Sequence, residues 1–230
     1  AYSNVRRDNL LNGLQIITLD RQSDAVVKCD LIIRGGAMFD LAGKTGLASL
    51  TLESLMIVNP RVKEELESLS AKADWGVTSD TTWLRLEAPT SSFGQAMEIV
   101  ARLLVVENVR PDAFKVAQEA QIAKAKTVKL AAAEQADAAF LEAIYGDHPY
   151  GNSALGDEKT LTAINQGDAY DFFRRFYLAN NASAVVVGNI AHDRVMQVFK
   201  LLFGGWVKGQ IVPATFRQPP QTSQLRVVKV

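Results

Sequence analysis

Strand-like and helix-like stretches come in blocks along this 230-residue chain, and that order rules out most ways of folding it. Strand-like runs open the chain and helical periodicities follow. Then come a second strand pair, a long helical tract, one apolar strand and a final helix. A doubly wound nucleotide-binding fold needs strands and helices in strict alternation, and that alternation is absent. Segregated blocks instead predict an α+β domain: two layers, a largely antiparallel β-sheet with helices packed on one face. No tandem repeat or low-complexity tract interrupts the pattern.

Local signals place the elements. Asn12-Gly13 between β-prone runs marks a hairpin whose second strand covers Leu14–Leu19. Val26–Arg34 alternates through Val27, Cys29, Leu31 and Ile33 and stops at Gly35-Gly36, which permit positive φ. The loop Gly43-Lys44-Thr45-Gly46, with Thr45 as N-cap, leads into a buried helix over Leu47–Val58 that ends at Asn59-Pro60. An amphipathic helix follows at Val62–Ala71, then a hairpin of Ala73–Thr78 and Thr82–Ala88 turning at Ser79-Asp80. Helices are predicted over Phe93–Val106, Asp112–Leu130, Ala131–Tyr145 and Ala163–Tyr177. A short strand covers Ala182–Val187, and a last helix, His192–Phe203, ends on Gly204-Gly205. Ile211–Pro220 reads as extended and proline-rich, and Leu225–Val230 as one more strand.

Composition narrows the chemistry. Lysine plus arginine (25) equals aspartate plus glutamate (25), so there is no basic excess of the kind nucleic acid or an anionic membrane calls for. Cys29 is the only cysteine, which excludes an internal disulfide and a thiolate cluster for zinc or iron–sulfur. It reads as a small buried hydrophobe of its strand. No apolar run reaches membrane-spanning length, and the start carries no signal-like pattern.

Four stretches, in order and at consistent spacing from about residue 7 to 206, carry a resemblance. They are Asn12-Gly13-Leu14 before a strand; Arg34-Gly35-Gly36-Ala37, Asp40 and Gly43-Lys44-Thr45-Gly46-Leu47-Ala48; Tyr145-Gly146-Asp147-His148-Pro149-Tyr150-Gly151 with Gly156; and Phe173 to Tyr177, Asn180-Asn181-Ala182 and Val185-Val186-Val187-Gly188-Asn189-Ile190. Together they resemble the pitrilysin/insulinase-type zinc metallopeptidase family, which includes the mitochondrial processing peptidases and the core subunits of respiratory complex III. The resemblance implies subunits built of two similar α+β halves. Residues 1–210 then correspond to the first half, and 211–230 to a linker and the first strand towards a second half.

Active members of that family hold zinc with an inverted motif, H-x-x-E-H, on the first long helix, and a distant carboxylate completes the set. Here the matching stretch is Gly46-Leu47-Ala48-Ser49-Leu50-Thr51-Leu52-Glu53-Ser54-Leu55. Without a gap, Ser49 and Glu53 stand at the histidine positions and Leu52 at the base. Shifted by one to keep Glu53 as base, Leu50 and Ser54 take the ligand positions. Neither register makes a metal site. The two histidines of the chain, His148 and His192, lie in a loop and at a helix start. On the long helix that would bring the third ligand, Glu119 stands among Lys115, Lys124, Lys126 and Lys129, a face that repels a dication. The resemblance therefore implies a degenerate member with no catalytic residues and no cofactor.

Other constellations have plainer readings. Ser49, Thr51, Glu53 and Ser54 lack a nearby base and read as helix-surface hydrogen bonding rather than a hydrolytic relay. Gly43-Lys44-Thr45 lacks the upstream glycine of a phosphate loop. Trp75 and Trp83 read as core or sheet-face residues, and Arg174-Arg175 as solvated helix surface. Two functions remain. In one, the chain is the inactive half or subunit of a two-part peptidase, paired with an active zinc-peptidase subunit of the same family or with a copy of itself, helping enclose an extended peptide. In the other it is a structural assembly subunit like the complex III core proteins. The flavour of Tyr145–Gly151 favours a bacterial periplasm or cytoplasm over a mitochondrion.

Overall fold

The structure, a computed structural model, describes residues 4–57, 61–105, 109–128, 132–211 and 218. Its strands are β1 (Val5–Asn9), β2 (Gln15–Asp20), β3 (Val26–Ile33), β4 (Lys72–Val77), β5 (Thr82–Pro89) and β6 (Ala182–Gly188). Its helices are α1 (Leu47–Ile57), α2 (Val62–Ser68), α3 (Phe93–Val105), α4 (Pro111–Val128), α5 (Ala132–Tyr145), α6 (Glu158–Ala163), α7 (Gln166–Phe176) and α8 (His192–Phe203). The predicted strand at Leu225–Val230, the helix end at Val58–Pro60 and nearly all of the proline-rich stretch lie outside the described residues.

The strands form one sheet in the order β1-β2-β6-β3-β5-β4. Every neighbouring pair is antiparallel except β2 with β6, which run parallel in the register Ile17↔Val185. Period-2 burial gives the sheet two unlike faces. Ile16 and Thr18, Val27 to Ile33 at alternate positions, Leu84, Leu86, Ala184 and Val186 are buried under the helices. The other face carries the pairs Lys28–Glu87 (3.5 Å) and Asp30–Arg85 (2.8 Å), and the Arg85 guanidinium lies 5.4 Å from the centre of the Trp83 ring. This is the two-layer α+β arrangement with helices on one side.

α1 runs through the middle of the helical layer, packed between the sheet, α4 and α7. It is apolar nearly all round, with Leu47, Leu50, Leu52 and Leu55 at 1% exposure or less. Each such leucine contributes about 1.5–3 kcal/mol by leaving water. The hydroxyls of Thr51 and Ser54 are spent inside the helix, donating to Leu47 O (2.8 Å) and Leu50 O (2.6 Å). That accounts for two of the four polar residues in the suspected relay.

Several expectations change in detail. Gly35 and Gly36 do not adopt positive φ. They are glycine because a Cβ on Gly36 would sit 2.5 Å from the carbonyls of Thr78 and Ser79, and one on Gly35 2.6 Å from Phe176 Cβ. The helix predicted over Ala163–Tyr177 is α7, which starts at Gln166, and α6 before it was not foreseen; each is begun by a reciprocal cap, Asp157 with Thr160 and Asn165 with Asp168. The Gly204 cap of α8 stays right-handed, at φ −61°. Asn12 does more than turn the hairpin. Its Nδ2 donates to Phe203 O (2.7 Å) and Trp206 O (3.0 Å), tying the β1–β2 turn to the far end of α8.

Candidate functional site

The start of α1 is set by Asp40, not by Thr45. The Asp40 carboxylate accepts from the backbone N–H of Gly46 (2.7 Å) and Ala48 (2.8 Å), meeting donors that the first turn leaves open. Thr45 instead offers its carbonyl to the Thr160 hydroxyl (2.9 Å). Burial pushes the Asp40 carboxyl up to about 7, outweighing the backbone donors of Ala48, Gly46 and Leu47 that favour its charged form. Gly46 and Gly156 meet face to face beside this cap, both at positive φ (94° and 73°). A Cβ on Gly156 would lie 2.3 Å from Thr45 O.

Held this way, α1 forms one wall of a cleft of about 620 Å³, with β4, α4, the start of α5 and residues 153–155 around it. Ser49, Leu52 and Glu53, the positions singled out in the sequence, all line it. Ser49 donates its hydroxyl to Ala154 O (2.7 Å). Leu52 is 1% exposed and offers only hydrocarbon. Glu53 accepts through Oε1 from the Trp75 indole N–H (3.3 Å), and its Oε2 has no hydrogen-bond partner among the described residues.

α4 faces the cleft with Ala117, Ala120, Gln121, Lys124 and Val128. Glu119 is exposed and does not line it. The lysines of α4 do not form a single face towards the cleft either: Lys124 lines it, while Lys126 pairs with Glu158 (2.8 Å). Gln121 is the residue that sequence reasoning passed over. It is 4% exposed and donates through Nε2 to Gly46 O (3.2 Å) and Leu155 O (2.8 Å), which fixes the amide orientation. Its Oε1 is buried without a donor among the described residues. The signal was present, since Gln121 is the polar member of a buried stripe Ala113, Ala117, Gln121, Ala125.

Both histidines are elsewhere. His148 Nδ1 accepts from Tyr150 N (3.2 Å) in the turn after α5. His192 opens α8 and bonds Thr18 Oγ1 (2.8 Å) and Asp8 Oδ2 (2.9 Å). Cys29 is buried, and desolvation holds its thiol far above the ordinary range, so it is inert. Trp75 packs on the core and walls the cleft, while Trp83 belongs to the outer sheet face. Arg174 and Arg175 are exposed, as read.

Comparison with known proteins gives this geometry a lineage. Residues 163–230 match the family model described as the peptidase M16 inactive domain. An uncharacterized zinc protease of Rickettsia bellii is 23% identical over 217 residues, a match covering 90% of this chain and 52% of that protein. The chain is similar to members of the M16 peptidase family. Its fold superposes on a protease from Helicobacter pylori with a TM-score of 0.88 at 18% identity, covering 94% of this chain and 54% of that one. A peptidase M16 inactive domain from Pseudomonas fluorescens gives 0.84 at 19% identity, with coverage of 94% and 54%. The chain thus spans about half the length of the M16 relatives it matches. It has the form of a peptidase-like half with kinship to the inactive domain of this family. No helix among the described residues is long and apolar enough to cross a membrane.

Proposed function

We propose that this chain is a non-catalytic half of a two-part M16 peptidase, one that helps enclose and bind extended peptides while an active zinc-bearing partner or a second copy completes the chamber. In this reading residues 1–210 are the peptidase-like domain and 211–230 lead towards a second half. Ser49, Leu52 and Glu53 are the vestiges of the zinc motif. The residues at the motif positions and facing them suit no zinc ion: Glu53 is their one carboxylate, beside a hydroxyl already donating, a leucine, a committed amide and a lysine, with Glu134 on another wall of the cleft.

The observation that carries the proposal is the position of β4. It pairs with β5 on one side and is the last strand of the sheet among the described residues. Trp75, Gly76 and Val77 of this edge also wall the cleft beside α1. An extended peptide added along β4 takes its affinity from main-chain hydrogen bonds and lays alternate side chains over the cleft. No metal is needed for that mode of binding.

Two measurements test it. Trp75 fluorescence should respond to an extended peptide, and N-methylation at alternate peptide positions should abolish the response. Metal analysis after zinc addition should find no stoichiometric zinc, and the chain alone should cleave nothing. Tight zinc or chelator-sensitive cleavage would overturn the reading. The assembly-subunit alternative draws on α5, which buries none of its residues and leaves Phe140 62% exposed. Stable complexes that form without any peptide affinity would favour it.

A further inference from the structure

A second cavity, of about 250 Å³, opens where α7 ends, and it shares no residue with the cleft beside α1. Its charged lining is Arg174 and Arg175, from the last turn of α7, and Lys208, from the segment that follows α8. No carboxylate lines it, in a chain whose acidic and basic residues are equal in number. Two cations in the last turn of a helix are accounted for by the helix dipole. The third is not, because Lys208 comes from another part of the chain and is brought to the same opening.

The cations sit on a fixed frame. The Arg174 guanidinium lies 5.8 Å from the centre of the Tyr170 ring, and that of Arg175 5.3 Å from the centre of Phe176. Such contacts orient a guanidinium and leave its charge in place. Lys208 stands between two anchored residues. Val207 O accepts from Ala179 N (2.9 Å), and the Asn180 amide grips Gly209 at both its carbonyl (2.8 Å) and its N–H (3.0 Å). Trp206 secures the start of the segment, its indole N–H donating to Tyr177 O (3.0 Å). Arg175 and Lys208 form no ion pair among the described residues. Like charges gathered in this way repel until an anion enters.

The remaining walls narrow the anion. The main-chain N–H groups of Lys208 and Gln210 have no acceptor among the described residues, so backbone donors stand beside the cations. Val105, Phe173, Leu178 and Trp206 give the cavity an apolar floor, which a bare inorganic anion would leave uncovered. The volume lies below the range of about 300–1,000 Å³ that takes drug-sized molecules. It suits one aliphatic side chain together with its carboxylate.

The geometry points to a pocket for the C-terminal residue of a peptide. Its α-carboxylate lies among Arg174, Arg175 and Lys208, its side chain rests on the apolar floor, and its main chain meets the free N–H groups of the rim. This goes beyond strand addition at β4 and does not depend on it.

The test uses the whole chain and two N-acetylated tripeptides, Ala-Ala-Leu with a free carboxylate and the same peptide ended as an amide, followed by calorimetry. The free acid should bind about tenfold or more tighter than the amide, and the gap should shrink as salt is added. Lys208→Gln and Arg175→Gln, both at exposed positions, should each remove most of the gap with the melting temperature unchanged. Lys124→Gln, in the other cleft, should leave it intact. Glycine in place of the last leucine should weaken the free acid about tenfold. Equal binding of acid and amide overturns the proposal, and so does a gap that survives both substitutions, since the carboxylate is then held elsewhere. Equal binding of the leucine and glycine peptides overturns it too, leaving a bare anion trap. Each of these failures leaves strand addition at β4 standing.

Discussion

Asp40 gives the sharpest check on how α1 is held in place. Its carboxyl is raised to about 7 in the folded chain, against about 3.9 for an aspartate in an unfolded one. Between those values the folded state keeps a proton that the unfolded state has released. Stability therefore falls as pH rises through the window and is level above it. Three pH units at about 1.4 kcal/mol each set a ceiling of about 4 kcal/mol. The side chain is half-buried and keeps some contact with water, so about 2 kcal/mol is the expected loss from pH 4 to 8. Asp40→Asn keeps one acceptor for the helix start and cannot titrate. It should cost about 1 kcal/mol near pH 4, where Asp40 is protonated in the folded chain. Urea unfolding of both proteins at half-unit steps reads the difference between them, which cancels titrations elsewhere in the chain. Wild type should lose its advantage over Asp40→Asn as pH rises. A difference that stays flat, or that grows with pH because the charged cap dominates, would refute the reasoning.

Other outcomes follow from the same geometry. Gly156→Ala should destabilise by about 2–3 kcal/mol in urea unfolding, since its Cβ would press on Thr45 O at a positive φ. Gly43→Ala, at φ 74° with open space around it, should cost only about 1 kcal/mol, from conformation alone; equal losses would discredit the packing argument. Asn12→Ala should cost about 1–2 kcal/mol and speed amide exchange at the end of α8, because two carbonyls lose their donor. Phe140→Glu should leave the melting midpoint of the chain alone within about 0.5 kcal/mol, since α5 buries nothing there. Ser49→His, Leu52→Glu and Glu53→His combined with Gln121→Glu should take up about one equivalent of zinc by metal analysis. No uptake by the folded variant would mean these are not former ligand positions.

Much of the architecture was legible because local chemistry and tertiary packing agree. β3 and β5 alternate cleanly, and the period-2 pattern placed both within a residue or two. α1 was readable as a buried helix from its leucines. Where reading went astray, the deciding contact was remote in sequence. Thr45 looks like an N-cap, yet Asp40 folds back over it, and no local pattern announces a cap six residues upstream. α6 was missed and the start of α7 set three residues early because their reciprocal caps use Thr160 and Asp168, where the usual signature has Glu or Gln. At the site, the α1 positions were found from the resemblance and do share a cleft. Glu119 and the lysines were misplaced because a helix of nearly uniform polarity gives no phase. The stripe of alanines around Gln121 carried that phase, and charge drew attention away from it.

The sheet order bears on how such a chain can be made. β6 lies between β2 and β3, so the first hairpin joins the rest of the sheet only through a strand about 165 positions later. Until residues 182–188 leave the ribosome, β2 and β3 each present an unpaired apolar edge. Long-range closure of this kind is slow, because the entropy of a large loop is lost before any contact repays it. Fragments that stop before Ala182 should collapse or aggregate rather than form a smaller domain. A single late strand thus makes assembly of the whole sheet cooperative.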